Sequence, residues 1–223
     1  MPEVYLVRHA QASFGSDDYD RLSELGHRQS RWLGEYFAER GLAFDRVITG
    51  SMRRHRETLE GIAQALKDLP AAAVMPGLNE YHSDALLDAH AEATGTPRLD
   101  RKADRRTHFR LLREVLHAWV DGTLAGGAHP SFTAFSAGVR EGLAAACARG
   151  AERVLVVSSG GPISTALCQV LGAAPGTMVE LNLQTRNTGV SELRATSRAV
   201  ACMSFNTVPH LDLPARREFI THA

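Results

Sequence analysis

Four places in the 223-residue chain collect residue types that do chemistry. Arg8 and His9 follow the apolar run VYLV, and Arg53, Arg54 and Arg56 follow RVITG within TGSMRRHRET. Glu80 stands in GLNEYH, while Ser158, Ser159, Gly160 and Gly161 close the run VLVV. Arginine forks grip phosphate oxygens in pairs, and neutral imidazole is a good nucleophile toward phosphorus. A carboxyl group kept protonated by nearby phosphate charge can donate to a departing oxygen. A turn of small residues entering a helix offers backbone N–H groups to an anion, although serines there serve equally as N-caps. Nucleophile, clamp and acid for phosphoryl transfer are therefore all present, provided that the fold brings the four places together.

It does so if the apolar runs are parallel strands, because ligands of open α/β sheets sit beyond the carboxyl ends of the strands. Short apolar runs alternate here with longer amphipathic ones, the pattern of strands crossing over through helices. Strands are expected at Val4 to Val7, Arg46 to Gly50, weakly at Ala73 to Met75, and at Val154 to Val157. Helical stripes are Trp32, Leu33, Tyr36 and Phe37, stopped by Gly41, and Leu59, Ile62, Leu66 and Leu69, ended by Pro70. Three more are Phe109 to Trp119, Phe132 to Leu143 and Ile163 to Val170. MVELNL, GVSEL and AVACMSF read as strands, so an antiparallel edge is expected to finish the sheet. Tyr81 to Arg106, ending in RLDRKADRR, has few apolar anchors and is the candidate insertion or lid over the ligand end.

Composition narrows the class. Lys plus Arg and Asp plus Glu are 25 each, so no net field points to nucleic acid or an acidic membrane. One domain over 1–223 fits the length. Cys147, Cys168 and Cys202 are an odd count without C-x-x-C spacing, which predicts reduced thiols in a cytoplasmic protein. No signal-like start or long apolar span is present. His82, Asp84, Asp88 and His90 match no common metal spacing, and the glycine-rich turn lacks a P-loop lysine. Val156 and Val157 precede Ser158 where a hydrolase elbow needs a small residue. No cofactor is expected. The partner is a small phosphorylated substrate, and a homodimer is left open.

The same residues resemble a known family. LVRHA is similar to the L-V-R-H-G/A signature of the histidine phosphatase (phosphoglycerate mutase-like) superfamily, with His9 at the phosphorylated position. LSELGHRQS resembles its L-T-x-x-G-x-x-Q helix start, and GSMRRHRET its S-P-L-x-R-A-x-x-T element, with Arg54 at the second phosphate arginine and Thr58 at the threonine. GLNEYH resembles its acid element, with Glu80 as proton donor; NTGVSEL and FNTVPHL, containing Asn187, Asn206 and His210, resemble the closing strand and tail. The resemblance implies a three-layer α/β/α sandwich with a mostly parallel central sheet, no metal, and a phosphohistidine intermediate. His9 would attack a phosphomonoester, with Arg8 and Arg54 on the equatorial oxygens and Glu80 protonating the alcohol. Water would then hydrolyse the P–N bond. Gln11, Ser13, Ser158, Ser159 and Gly160 join the expected phosphate-binding set. A phosphoglycerate mutase is the lesser alternative, because RHAQASFGSDDYD lacks the mutases' S-x-W-N continuation.

One departure stands out. Where the family has S-H-G-G after its last parallel strand, this chain has Ser158-Ser159-Gly160-Gly161, so Ser159 replaces a histidine that contacts the transferring phosphoryl group. Loss of one preorganised donor costs about 10²- to 10³-fold in rate. Three readings remain open at this level: the turn's own N–H and hydroxyl groups do the work, a cation enters from His55, His82, Arg53 or Arg56, or the protein binds a phosphorylated ligand and turns it over poorly or not at all. Ser159→His is expected to raise turnover if the pocket keeps the family's geometry.

Overall fold

The computed structural model describes residues 1–13, 20–96, 105–124 and 129–222. Among them six strands form one sheet: β1 (Glu3–Arg8), β2 (Arg46–Thr49), β3 (Ala73–Val74), β4 (Arg153–Ser158), β5 (Val190–Ala195) and β6 (Val200–Thr207). Their order is β3-β2-β4-β1-β5-β6. The first three pairings are parallel and the last two antiparallel, so the sheet is mostly parallel with the expected antiparallel edge.

Strands β1 and β4 lie at the centre and are covered on both sides, which is why they read as unbroken apolar runs. Side chains alternate between two cores. Val4, Leu6, Val154 and Val156 face α5 (Phe132–Cys147) and α6 (Gly160–Leu171) through Val139, Ile163 and Leu167. Tyr5, Val7, Leu155 and Val157 face α1 (Glu24–Glu39) and α2 (Arg53–Ala63) through Leu33, Phe37 and Ile62. Each such fully buried side chain contributes about 1.5–3 kcal/mol of transfer free energy. Helices therefore layer both faces of the sheet. A third cluster joins α3 (Ser83–Thr94), α4 (Arg105–Val120) and α7 (Thr177–Gln184) to the outer side of α6, around Leu86, Leu116, Trp119 and Met178.

Several local expectations need correction. Residues of MVELNL form helix α7, not a strand; six residues of apparent alternation do not separate the two periods. The chain enters that helix through Pro175 and Gly176, and Met178 and Val179 are both buried against its neighbours. Helix α2 stops at Ala63, so Leu66 and Leu69 lie past its end, where Asp68 takes a positive φ of 65°. The Tyr81 to Arg106 stretch contains helix α3, anchored by buried Leu86 and Leu87 and closed by Gly95 at φ 65°. Most of the charged run RLDRKADRR falls on residues 97–104, outside the described residues.

Candidate active site

Parallel pairing aligns the strand ends. Arg8 is in register with Ser158 and Thr49 with Val157, and the backbone bonding runs one step further, His9 N–H to Ser158 O and Gly50 N–H to Val157 O. Residues 8–9, 49–55 and 158–161 thus converge at one edge.

His9 is nearly fully buried, and its Nδ1 lies 2.8 Å from the Ala10 carbonyl oxygen. A carbonyl only accepts, so Nδ1 carries the proton and Nε2 carries the lone pair. Burial, then the Arg54 and Arg8 guanidiniums, hold its pKa well below the usual 6.5, so the ring is neutral at physiological pH. That is the state a nucleophile needs.

The turn after His9 is tied down from several elements. Ala10 N–H donates to Thr58 Oγ1 at 3.0 Å, and that hydroxyl donates to the Arg54 carbonyl at 2.7 Å. Gln11 N–H donates to Gln29 Oε1 at 2.9 Å, and the Gln11 side chain accepts from Ser23, the N-cap of α1. Gly26 is required there, because a Cβ would overlap the Gln11 carbonyl oxygen. From the other side Asn187 Nδ2 and Thr188 N–H reach the His9 carbonyl, both at 3.3 Å. Buried His210 steadies Thr188, with Nε2 2.8 Å from its hydroxyl. These contacts explain the helix-start and tail elements as fasteners of the histidine loop.

Both arginines are buried. Arg8 donates to the Thr185 carbonyl at 2.6 Å, and Arg54 pairs with Asp20 at 3.0 Å. Asp20 also accepts from Arg53 N–H at 2.8 Å, supplying the N-terminal cap that Met52 cannot give α2. Glu80 follows the 3₁₀ turn Pro76–Leu78, and its Oε1 accepts from Gly161 N–H at 3.1 Å and Tyr81 N–H at 3.3 Å. Burial raises its pKa against the opposing pull of Arg54 and Arg8. The N-terminal end of α6 is therefore occupied by a carboxylate of the protein itself, and Gly161 lacks a side chain because a Cβ would overlap Glu80 Oε1.

Of the expected phosphate-binding residues, Gly160 lies against Asn182 and Thr185, leaving no room for a Cβ. Ser158 donates its hydroxyl to the Leu78 carbonyl at 2.7 Å, which fastens the turn leading to Glu80. Ser13 donates to the Leu22 carbonyl at 3.1 Å. Ser159 has the N-cap backbone of α6 yet makes no side-chain cap; its Oγ lies 2.7 Å from His55 Nε2. Among the cations considered, Arg53, Arg56 and His82 are exposed, while His55 is fully buried with its ring 5.8 Å from that of His9.

Asp20, Thr185 and Asn182 were not singled out in the sequence. The Thr185 carbonyl on Arg8 and Asp20 on Arg54 are unreadable there, since one is a backbone group and the other an aspartate among several in SDDYD. Among the described residues no three His, Cys, Asp or Glu side chains gather as a metal group, and no helix is long and apolar enough to cross a membrane.

A mostly parallel six-stranded sheet of this order with helices on both faces, carrying an Arg-His pair at the end of a central strand, defines a three-layer α/β/α class. The histidine phosphatase superfamily (branch 1) model matches residues 4–208, and the chain belongs to that family. Its fold is shared by YhfR of Bacillus stearothermophilus, with a TM-score of 0.69 at 17% identity over 94% of this chain and 99% of that one. Phosphoglycerate mutase of Bacillus anthracis str. Sterne gives 0.65 at 18% over 93% and 94%. The alpha-ribazole phosphatase of Shigella flexneri gives 0.63 at 18% over 92% and 96%. A curated relative, the mitochondrial serine/threonine-protein phosphatase PGAM5 of Xenopus laevis, is 34% identical over 68 residues, 30% of this chain and 25% of that protein.

Proposed function

We propose that this chain is a phosphomonoester hydrolase that works through a phosphohistidine at His9, on a small phosphorylated metabolite or a phosphoprotein. The observation that carries the reading is the state of His9: neutral, its Nδ1–H committed to the Ala10 carbonyl, and within the field of two buried arginines. Nε2 attacks phosphorus while Arg8 and Arg54 bind the equatorial oxygens, and the protonated Glu80 gives its proton to the departing alkoxide. Bound phosphate offsets the arginine charge that pulls the Glu80 pKa down, so the acid form persists when it is needed. In the second half Glu80 takes a proton from water, the hydroxide attacks phosphorus, and the P–N bond breaks to release phosphate and neutral His9. Two of the structural relatives named above carry mutase or phosphatase names, in keeping with phosphoryl transfer on this fold.

The test is turnover of p-nitrophenyl phosphate and a panel of phosphorylated metabolites and phosphopeptides by the protein and by His9→Ala. The reading expects activity on at least one compound and its loss in the variant. Equal inactivity of both proteins on the whole panel would favour a phospholigand-binding role instead.

A further inference from the structure

Three departures from the family patterns set out above meet at one point. Gly50 stands where the S-P-L-x-R-A-x-x-T element begins with serine, His55 where it has alanine, and Ser159 where the S-H-G-G turn has histidine. His55 and Ser159 are 104 positions apart, yet Nε2 and Oγ are 2.7 Å apart. Gly50 completes the set, because a Cβ there would overlap His55 Nδ1 and also crowd its Cε1. Each change makes sense of the others: the glycine gives the imidazole room, and the small serine leaves the space that a second ring would fill.

We infer that His55 and Ser159 act as one unit in place of the family's second histidine, His55 Nε2–H donating to Ser159 Oγ and so aiming the serine hydroxyl hydrogen at the phosphoryl oxygen. The proton is placed on Nε2, which has Ser159 Oγ at 2.7 Å, because Nδ1 over Gly50 makes no hydrogen bond of good geometry and the pull of the Gly50 backbone is the weakest influence on the ring. A buried N–H without an acceptor is the costlier of the two arrangements. With Nε2 donating, the hydroxyl of Ser159 keeps its own hydrogen for a ligand, and its oxygen accepts no N–H from the first turn of α6. Burial and the adjacent Arg54 push the His55 pKa down to about 3, so the unit is neutral at physiological pH and leaves the positive charge to the arginines. His55 is on this account a positioning residue and Ser159 the group that touches the phosphoryl oxygen. The geometry also reverses the simple expectation for Ser159→His: a second ring at 159 would meet His55, so the single substitution lowers turnover.

The inference rests on the phosphohistidine reading, and its test separates the two. Ser159→Ala, His55→Phe, their double variant and the exchange pair His55→Ala/Ser159→His are compared in kcat and KM on p-nitrophenyl phosphate and in affinity for orthovanadate. Far-UV circular dichroism and Tm establish that each variant folds. The two single variants are expected to lose about 10²-fold in kcat with KM changed only a few-fold. The double variant should be no worse than the weaker single, since both remove one donor. The exchange pair should recover to within about tenfold of wild type, whereas Ser159→His alone does not. Folded His55→Phe retaining full kcat, or losses that multiply in the double variant, would overturn the unit while leaving His9 chemistry standing. If the wild type itself turned nothing over, the same non-additivity read in orthovanadate affinity would still decide whether the pair acts together.

Discussion

Buried neutral histidines make this protein sensitive to mild acid in a way that can be calculated. His55 and His210 are each 1% exposed or less, and each has its pKa pushed from the usual 6.5 to about 3, by burial first and then by Arg54 or Arg216. The sign follows from which state binds protons. Above pH 6.5 neither state does, and the stability is fully present; as pH falls from there toward 3 the unfolded chain takes up protons that the native state refuses. At about pH 5 an unfolded imidazole is protonated about thirtyfold over, worth about 2 kcal/mol for each ring and about 4 kcal/mol for the two. That is a large share of the roughly 5–15 kcal/mol that holds a domain together. His9, also depressed, adds in the same direction. Urea unfolding at about pH 8 and about pH 5 is the assay, with His210→Gln as the comparison because its amide can still donate to Thr188. The variant's stability relative to wild type should improve by about 2 kcal/mol on moving to the lower pH. A difference between the two proteins that does not change with pH would refute the claim that this ring is held neutral.

Glu80→Gln should cost about 10²- to 10⁴-fold in kcat on alkyl phosphates and far less on p-nitrophenyl phosphate, whose leaving group needs no proton. Because burial raises the Glu80 pKa, the same variant should be the more stable protein above the ordinary carboxylate range and lose that advantage below it; equal losses on both substrate classes would remove Glu80 from the acid role. Thr58→Val leaves the Ala10 N–H without its acceptor and should cost about 1–3 kcal/mol in urea unfolding, with Thr58→Ser restoring most of it. An unchanged midpoint would show that the histidine loop is held by its other contacts.

The central strands were legible because burial on both faces leaves a run such as VLVV with no polar interruption, and one glycine at φ 61° marked the end of α1. Once those runs are parallel, Arg8, His9 and the turn at 158–161 must share an edge, so that half of the site follows from alternation alone. Residues 177–184 escaped because a short amphipathic segment satisfies both periods, and α3 because its two anchors, Leu86 and Leu87, lie among alanines and charges. The pairing of His55 with Ser159 escaped for a different reason. Their register follows from β2 beside β4, but whether the ring turns inward depends on Gly50 leaving it room. Glu80 was placed near the turn, yet nothing in the sequence says that its carboxylate takes the Gly161 N–H for itself.

The phosphohistidine is most directly examined by trapping it. Protein mixed with a turned-over phosphomonoester is quenched in alkali within the first turnovers, digested and mapped by mass spectrometry. The account predicts a phosphoryl group on the peptide carrying His9, stable to alkali, lost in acid and absent from His9→Asn. Full turnover with no phosphate on that peptide at any quench time would show that water attacks the substrate directly, and would contradict the role given to His9.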